Sequence, residues 1–156
     1  MSRRARGFTL LELLVVMSIV ALATAGVTMA LRDPDATQLE REALRLAALL
    51  DAARAQSRTT GIPVTWHPTS QGFVFEGLRP PAEGSPPSGL HTAGRQWLNS
   101  ETEVRIVLPT RADHLVLGPE PLIPTQRIDL ALGEQHLALG TDGLGPFQVV
   151  TGEAAP

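Results

Sequence analysis

The sequence has no cysteine in its 156 residues, so neither disulfide bonds nor zinc sites with thiolate ligands can hold the chain together. It also lacks the HExxH, GxSxG and P-loop motifs. The four histidines are scattered without the helical spacing of a metal-binding pair, and nothing orients Asp113 and His114 toward a serine. We therefore expect no catalytic residues, no metal site and no cofactor.

Lysine is absent as well, and all 13 basic residues are arginine. Three of these arginines lie in residues 1–7, so removing that segment would change the formal net charge from −3 to about −6. Residues 128–156 contain no basic residue and four acidic ones. Surfaces that bind nucleic acid need basic patches to displace counterions, so nucleic acid is not an expected partner.

Charged side chains are nearly absent from residues 8–31, where Glu12 is the only ionisable one. The uncharged run from Leu13 to Leu31 has 19 residues, and as a helix it would measure about 29 Å, close to a bilayer's hydrocarbon core of about 30 Å. Arginines before this run predict a cytoplasmic amino terminus and an exported body. A carboxylate in such a segment costs roughly 2.5–3.5 kcal/mol, so Glu12 requires a functional explanation.

Three interpretations of this segment are open. A secretory signal would be cut at small residues, and Ala23-Thr24-Ala25 supplies such a site, but the apolar run continues past it. A simple uncleaved anchor would leave Glu12 unexplained. In the third interpretation, a short basic leader of residues 1–7 is removed after Gly7, and the whole apolar helix stays intact.

The third interpretation rests on a motif. Gly7-Phe8-Thr9-Leu10-Leu11-Glu12, followed by the apolar run, resembles the class III signal of type IV pilins and type II secretion pseudopilins. The resemblance implies that a prepilin peptidase cleaves between Gly7 and Phe8 and then N-methylates Phe8. It also places Glu12 at the fifth position after the cut, where the family has its glutamate.

Cleavage would give Phe8 a cationic amine that could meet Glu12 of a neighbouring subunit. At 4 Å and an effective dielectric constant near 20, two unit charges attract by about 4 kcal/mol. Within one subunit, the helix dipole would stabilise the Glu12 carboxylate by only about 0.3–1 kcal/mol. The pair between subunits is the larger effect, so Phe8 and Glu12 are the expected assembly residues, which agrees with the role that the resemblance implies.

A second helix is predicted after the apolar run and should end near Gly61. Arg32-Asp33-Pro34-Asp35 should break or kink the chain, and Thr37 with Glu40 has the pattern of a capping box. Six charged residues of this helix are expected to be solvated: Glu40, Arg41, Arg45, Asp51, Arg54 and Arg58. The apolar stripe consists of Leu39, Ala43, Leu46, Leu50 and Ala53.

Beyond the second helix the sequence pattern changes to short strands. These are predicted at 62–67, 72–77, 104–108, 115–118, 127–132, 137–140 and 147–151. Residues 77–96 contain four prolines and four glycines, and a long loop is predicted there. Trp66 is expected in the core, whereas Trp97 is expected to be an exposed anchor for a partner.

Two further stretches, Leu39–Trp66 and Leu137–Val150, resemble the GspH/FimT-like branch of minor pseudopilins and minor pilins. The resemblance implies a type IV pilin-like α+β fold. In it a long N-terminal helix, transmembrane in its first half and amphipathic in its second, packs on an antiparallel β-sandwich. The expected organisation is a leader at 1–7, a transmembrane helix at 8–31, a kinked amphipathic helix at 32–60 and a periplasmic body at 61–156.

The function that this resemblance implies is that of a non-enzymatic minor pseudopilin in the type II secretion pseudopilus. Such a subunit would cross the bacterial inner membrane once, with its body in the periplasm. Its partners would be the prepilin peptidase, other major and minor pseudopilins, and membrane lipid. Two alternatives are a FimT-like minor type IV pilin, serving pilus assembly or DNA uptake, and a membrane-anchored periplasmic binding domain that never polymerises.

Overall fold

The computed structural model describes residues 9–30, 33–80, 90 and 95–150, and side chains in the first of these ranges as far as residue 23. The chain divides into two compact units, Met1–Pro34 and Asp35–Pro156. The first contains helix α1, Leu10–Ala30, and almost all of helix α2, Pro34–Thr60, belongs to the second. Gly7 and Phe8 lie outside the described residues.

Helix α2 begins at Pro34, so Thr37 lies inside the helix and the prediction that Thr37 caps its start is wrong. Proline suits the first helical position, because its fixed φ matches the helix and its missing N–H would have no partner there. The predicted apolar stripe is confirmed, since all five of its members are buried. The same face also buries Glu42, Arg54 and Ser57, which corrects the expectation that Arg54 is solvated.

The body has eight strands in the part of the chain that the structure describes, arranged as two antiparallel sheets of four. The first sheet has the order β3-β2-β1-β5 and the second the order β4-β6-β7-β8. In chain order, the strands are β1 Thr65–Thr69, β2 Gly72–Glu76, β3 Arg95–Gln96, β4 Glu103–Leu108, β5 Leu115–Val116, β6 Gln126–Leu132, β7 Gln135–Thr141 and β8 Gln148–Val150.

The core lies where α2 meets both sheets. Leu46 and Leu50 of the helix belong to the same buried cluster as Trp66 of the first sheet and Ile128 of the second. Alternate residues of β6 are buried, as expected for a strand with one face on the core. The predicted α+β class, a helix packed on antiparallel sheets, is thus confirmed.

The two tryptophans have different outcomes. Trp66 is fully buried, as predicted, and its ring lies 6.1 Å from that of Phe73. The prediction of an exposed Trp97 is wrong: its ring is buried 5.0 Å from Phe73, and its indole N–H donates to the Thr69 carbonyl at 3.2 Å. That carbonyl satisfies the one polar atom of the indole, so burying the ring adds packing without an unpaired donor.

The predicted loop at residues 77–96 lies partly outside the described residues, and its last two residues form β3. Arg95 pairs with Phe73 and Gln96 with Gly72, which extends the first sheet beyond β2. The close approach leaves no room for a side chain on Gly72, because a Cβ there would lie 1.7 Å from the Arg95 carbonyl oxygen. Glycine at this position therefore permits β3 to pair.

Candidate functional site

The first turn of α1 holds the one predicted assembly residue that the structure describes, Glu12. The Glu12 backbone N–H lies 3.3 Å from the Thr9 hydroxyl and 3.1 Å from the Thr9 carbonyl. Thr9 therefore caps the helix, with Glu12 at the third helical position. The Glu12 side chain is exposed and open to a partner. Thr-x-x-Glu is a capping-box signature, so the sequence also contained a signal for Thr9.

Helix α1 is apolar on every side as far as its side chains are described. Its exposed large residues include Leu10 and Leu11 before Glu12, and Leu13, Leu14 and Val15 after it. Ser18, a polar residue in this run, donates its hydroxyl to the Leu14 carbonyl at 2.8 Å. A helix that is apolar all round needs apolar surroundings rather than one apolar neighbour. Among the described residues, no helix meets the length and hydropathy required to span a membrane.

The N-terminal half of α2 holds the segment that follows β3. The Glu42 carboxylate is only 1% exposed; it accepts the Leu98 backbone N–H at 2.5 Å and faces Arg45 at 3.4 Å. Arg45 also donates to the Gln96 carbonyl at 3.0 Å. These contacts span more than 50 residues of sequence and fix the chain between β3 and β4 on the helix.

Replacing Glu42 with alanine is expected to lower the free energy of unfolding by about 1–3 kcal/mol, because the Leu98 N–H would lose its buried acceptor. The matched control is Glu40→Ala, since Glu40 is exposed on the same helix and should change stability by less than about 0.5 kcal/mol. Urea denaturation of the full chain in detergent measures both. Equal losses from the two variants would show that the Glu42 contacts do not stabilise the body.

The C-terminal half of α2 binds two loops through Arg54, whose side chain is 4% exposed. Arg54 donates to the carbonyls of Gly143 and Gly145 in the loop before β8, and at 3.4 Å to the Pro121 carbonyl. Arg58 donates to the same Pro121 carbonyl at 2.8 Å. The guanidinium groups of α2 thus bind both the loop before β8 and the loop that contains Pro121.

Two carboxylates complete this region, and their pKa values shift in opposite directions. Burial raises the pKa of Asp51, although its Oδ1 accepts the Phe147 N–H at 3.1 Å. The N–H groups of Gly145 and Leu144 hold the pKa of Asp142 below its usual range. The Asp142 contribution to stability is therefore present above the unfolded pKa and is lost as the pH falls through the folded pKa. The raised Asp51 pKa opposes that loss.

A histidine cluster lies beside β1 and β5. The rings of His67 and His114 stack with their centroids 5.1 Å apart, and His114 Nδ1 lies 2.6 Å from Asp113 Oδ1. His67 Nε2 lies 3.0 Å from the Thr65 hydroxyl. Within the described ranges, no group of three or more His, Asp or Glu is placed to hold a metal ion. The cluster has the geometry of a surface hydrogen-bond network.

The chain is similar to known proteins in two ways. Residues 2–28 match the family described as the prokaryotic N-terminal methylation motif. The crystal structure of the type IV minor pilin FimU from Pseudomonas aeruginosa superposes with a TM-score of 0.52 at 14% sequence identity, covering 73% of this chain and 89% of FimU. Among curated protein sequences, none matches this chain significantly. The fold of the chain is therefore type IV pilin-like.

Proposed function

We propose that this chain is a minor subunit of a type IV pilin-like filament, and specifically a minor pseudopilin of the type II secretion pseudopilus. The observation that carries the proposal is the position of Glu12. It is an exposed acid in the first turn of an otherwise apolar helix, five residues after Gly7 and inside the matched methylation motif. A prepilin peptidase would cut after Gly7, methylate Phe8 and leave α1 as the membrane anchor of a single-pass inner-membrane protein.

The physical role of α1 follows from its surface. Its leucines and valines face outward on all sides, so in the membrane they contact lipid and in a filament they contact the helices of neighbouring subunits. Glu12 is the exception, and its carboxylate becomes favourable when the Phe8 amine of an adjacent subunit approaches. Assembly thus provides the Glu12 carboxylate with a cationic partner, which the lipid of the membrane does not provide.

Affinity purification of the tagged chain from detergent-solubilised membranes tests this proposal. Sister pilin-like subunits, identified by mass spectrometry, are expected to co-purify with it. If the chain purifies alone under conditions that preserve other pilin complexes, the filament role is wrong. The sister subunits also separate the two machineries, since secretion pseudopilins favour the pseudopilus and pilus subunits favour a minor pilin.

A second candidate function is that of a minor type IV pilin, which the structural similarity to FimU favours. One variant of this function is DNA uptake, for which the body would need clustered arginines on its surface. A gel-shift assay of the detergent-solubilised chain with duplex DNA at physiological salt distinguishes the variants. Submicromolar binding that weakens steeply with salt would favour DNA uptake, whereas its absence leaves assembly as the function.

A further inference from the structure

The longest sheet edge of the body belongs to β4. In the part of the chain that the structure describes, β4 and β8 end the second sheet, and β3 and β5 end the first. Strand β4 has six residues, whereas the other three edge strands have two or three. Its ladder with β6 is regular from Glu103 to Ile106 and shifts register before Leu108. The outer side of residues 103–106 is therefore a straight edge of the kind to which an extended peptide adds as a new strand.

Two opposite charges lie on the exposed face of this edge. Glu103 and Arg105 are two residues apart on β4, so their side chains point to the same side of the sheet, where His136 also lies. Arg105 is opposite Asp129 in the ladder, but the Asp129 carboxylate lies 3.1 Å from Arg127 instead. Among the described residues, neither Glu103 nor Arg105 forms an ion pair. Each charge can therefore pair with a side chain of an added strand.

A polar pocket of about 540 Å³ adjoins the start of β4, and we call it the edge pocket. One wall is the turn between β1 and β2, and the other is the segment that leads into β4. Four hydroxyl groups and two carboxylates line it: Thr69, Ser70, Ser100, Thr102, Glu101 and Glu103. None of the described residues that line the edge pocket is basic. The edge pocket therefore favours a cationic side chain.

Thr102 indicates that the edge pocket receives a hydrogen-bond donor. This residue is 4% exposed, and its backbone N–H donates to the Asn99 carbonyl at 3.1 Å. Its hydroxyl, in contrast, has no hydrogen-bond partner within the described ranges. Buried polar groups are normally hydrogen-bonded, because they have lost their bonds to water. An N–H group that enters the edge pocket would give the Thr102 hydroxyl this missing partner.

Both walls of the edge pocket are held in place by hydrogen bonds. The Trp97 indole N–H donates to the Thr69 carbonyl, and the Trp97 backbone N–H donates to the Gln71 carbonyl at 3.1 Å. These bonds fix the turn between β1 and β2. In the other wall, the Glu101 backbone N–H donates to Asn99 Oδ1 at 2.9 Å. A ligand that enters therefore has little of the protein to order, which favours binding.

From the straight edge, its two charges and the edge pocket, we infer that β4 binds an extended segment of a partner protein as an added antiparallel strand. In this orientation, the residue opposite Arg105 comes two positions before the residue opposite Glu103. The recognised segment therefore has an acidic residue followed, two positions later, by an arginine or lysine. Its basic side chain pairs with the Glu103 carboxylate and donates to the Thr102 hydroxyl.

Strand β4 itself has this charge order in Glu103-Val104-Arg105, so a second copy of the chain is the competing occupant. A second copy paired antiparallel about Val104 would bring its irregular segment after Ile106 against Thr102. A segment that stays regular over its whole length avoids this misfit, so the partner is a different protein. The surface lies entirely on the body. The inference therefore goes beyond the proposed function and does not depend on processing of the N-terminus.

Two short peptides of equal composition test the charge order. The matched peptide is acetyl-TTDVRTT-amide, and the control is the exchanged peptide acetyl-TTRVDTT-amide. Amide hydrogen exchange of the full chain in detergent is measured with each peptide in millimolar excess. The matched peptide should slow exchange in residues 103–106 at least threefold and at least twice as much as the exchanged peptide. Exchange in β8, the other edge of the same sheet, should not change.

Substitutions in the chain provide the second measurement. The double variant Glu103→Arg, Arg105→Glu should prefer the exchanged peptide, and both residues are exposed, so the body should still fold. Thr102→Val should reduce the protection by the matched peptide at least twofold. The matched control is Thr110→Val, because Thr110 is exposed and lies outside the edge pocket; it should bind as wild type.

Three results would overturn the inference. The first is equal protection by the two peptides, or stronger protection by the exchanged one. The second is a preference that the double variant does not reverse. The third is a dimer of the chain, seen by light scattering, that Glu103→Arg converts to monomer, because it would assign the edge of β4 to a second copy. None of these results involves α1, so the proposed function is tested separately by the co-purified sister subunits.

Discussion

The Glu12→Leu variant is expected to reach the membrane at the wild-type level. The amount of sister pilin-like subunits that co-purifies with it should fall at least about tenfold. The charge pair that we propose with the Phe8 amine would be worth about 4 kcal/mol gross at an effective dielectric constant near 20, and a net loss of 1.4 kcal/mol already changes an equilibrium tenfold. Leucine also removes the insertion cost, so the amount of protein in the membrane should not fall.

A second substitution separates the charge of Glu12 from its place in the helix cap. Glutamine can take the same position in a capping box, so Glu12→Gln keeps the local helix signal while removing the charge. If the charge matters, the glutamine variant fails as the leucine variant does; if capping matters, it behaves as wild type. Ser18→Ala is the matched control, because the Ser18 hydroxyl is satisfied within its own helix.

Wild-type co-purification by both Glu12 variants would contradict the assembly role of this residue. Normal amounts of each variant in the membrane fraction are part of the test, since a variant that is degraded would also fail to co-purify. Quantitative immunoblotting of membranes supplies that measurement, and mass spectrometry of the purified complexes supplies the other.

Replacing Arg54 with leucine is expected to lower the free energy of unfolding by about 3 kcal/mol. Hydrogen bonds from a charged donor contribute roughly 1.5–3 kcal/mol, and the carbonyls of Gly143, Gly145 and Pro121 would lose this donor together. For a chain of this size, the loss corresponds to a fall in Tm of roughly 6–12 °C. Arg41→Leu is the matched control, because Arg41 is exposed on the same helix.

Thermal unfolding of the full chain in detergent, followed by circular dichroism, measures this difference. A Tm for Arg54→Leu within 2 °C of the control would show that the buried guanidinium is not what holds the two loops on α2.

Much of the fold is predictable from the sequence because its apolar periodicity is strong. The stripe from Leu39 to Ala53 has one member per helical turn, and the strands at 127–132 and 137–140 were predicted close to the observed β6 and β7. Strand β3 was missed because it lies at the end of the proline- and glycine-rich segment 77–96, whose composition predicted a loop. Its pairing depends on the space above Gly72, which only the folded chain reveals.

The polar contacts of α2 show a second kind of feature that the sequence did not predict. Glu42 lies three residues after Leu39 and Arg54 lies four after Leu50, so both positions fall on the buried face by helical spacing. The charge of Arg54 led to the prediction that it is solvated, since arginine is rarely buried unless paired, and for Glu42 no burial was predicted. The partners that make burial favourable are backbone groups more than 50 residues away, and no local pattern indicates them.

The candidate site depended on a short motif, and the roles that this motif predicts for Gly7, Phe8 and Glu12 stay predictions; the same kind of pattern was a poor guide to where the helices begin. The pattern Thr-x-x-Glu occurs at both Thr9 and Thr37. It marks the observed start of α1, whereas α2 begins earlier, because Pro34 fits the first helical position. A capping-box pattern thus predicts the start of a helix less well than a proline, whose φ angle is already fixed at a helical value.

The N-terminus of the mature protein tests the central claim most directly. The chain is purified from membranes of its native host and its intact mass and N-terminal peptide are determined by mass spectrometry. A chain that begins at Phe8 with one added methyl group on its amine is the result predicted here. A chain that still begins at Met1, or that has been cut after Ala25, would contradict the account, because the amine that makes Glu12 favourable would not exist at Phe8.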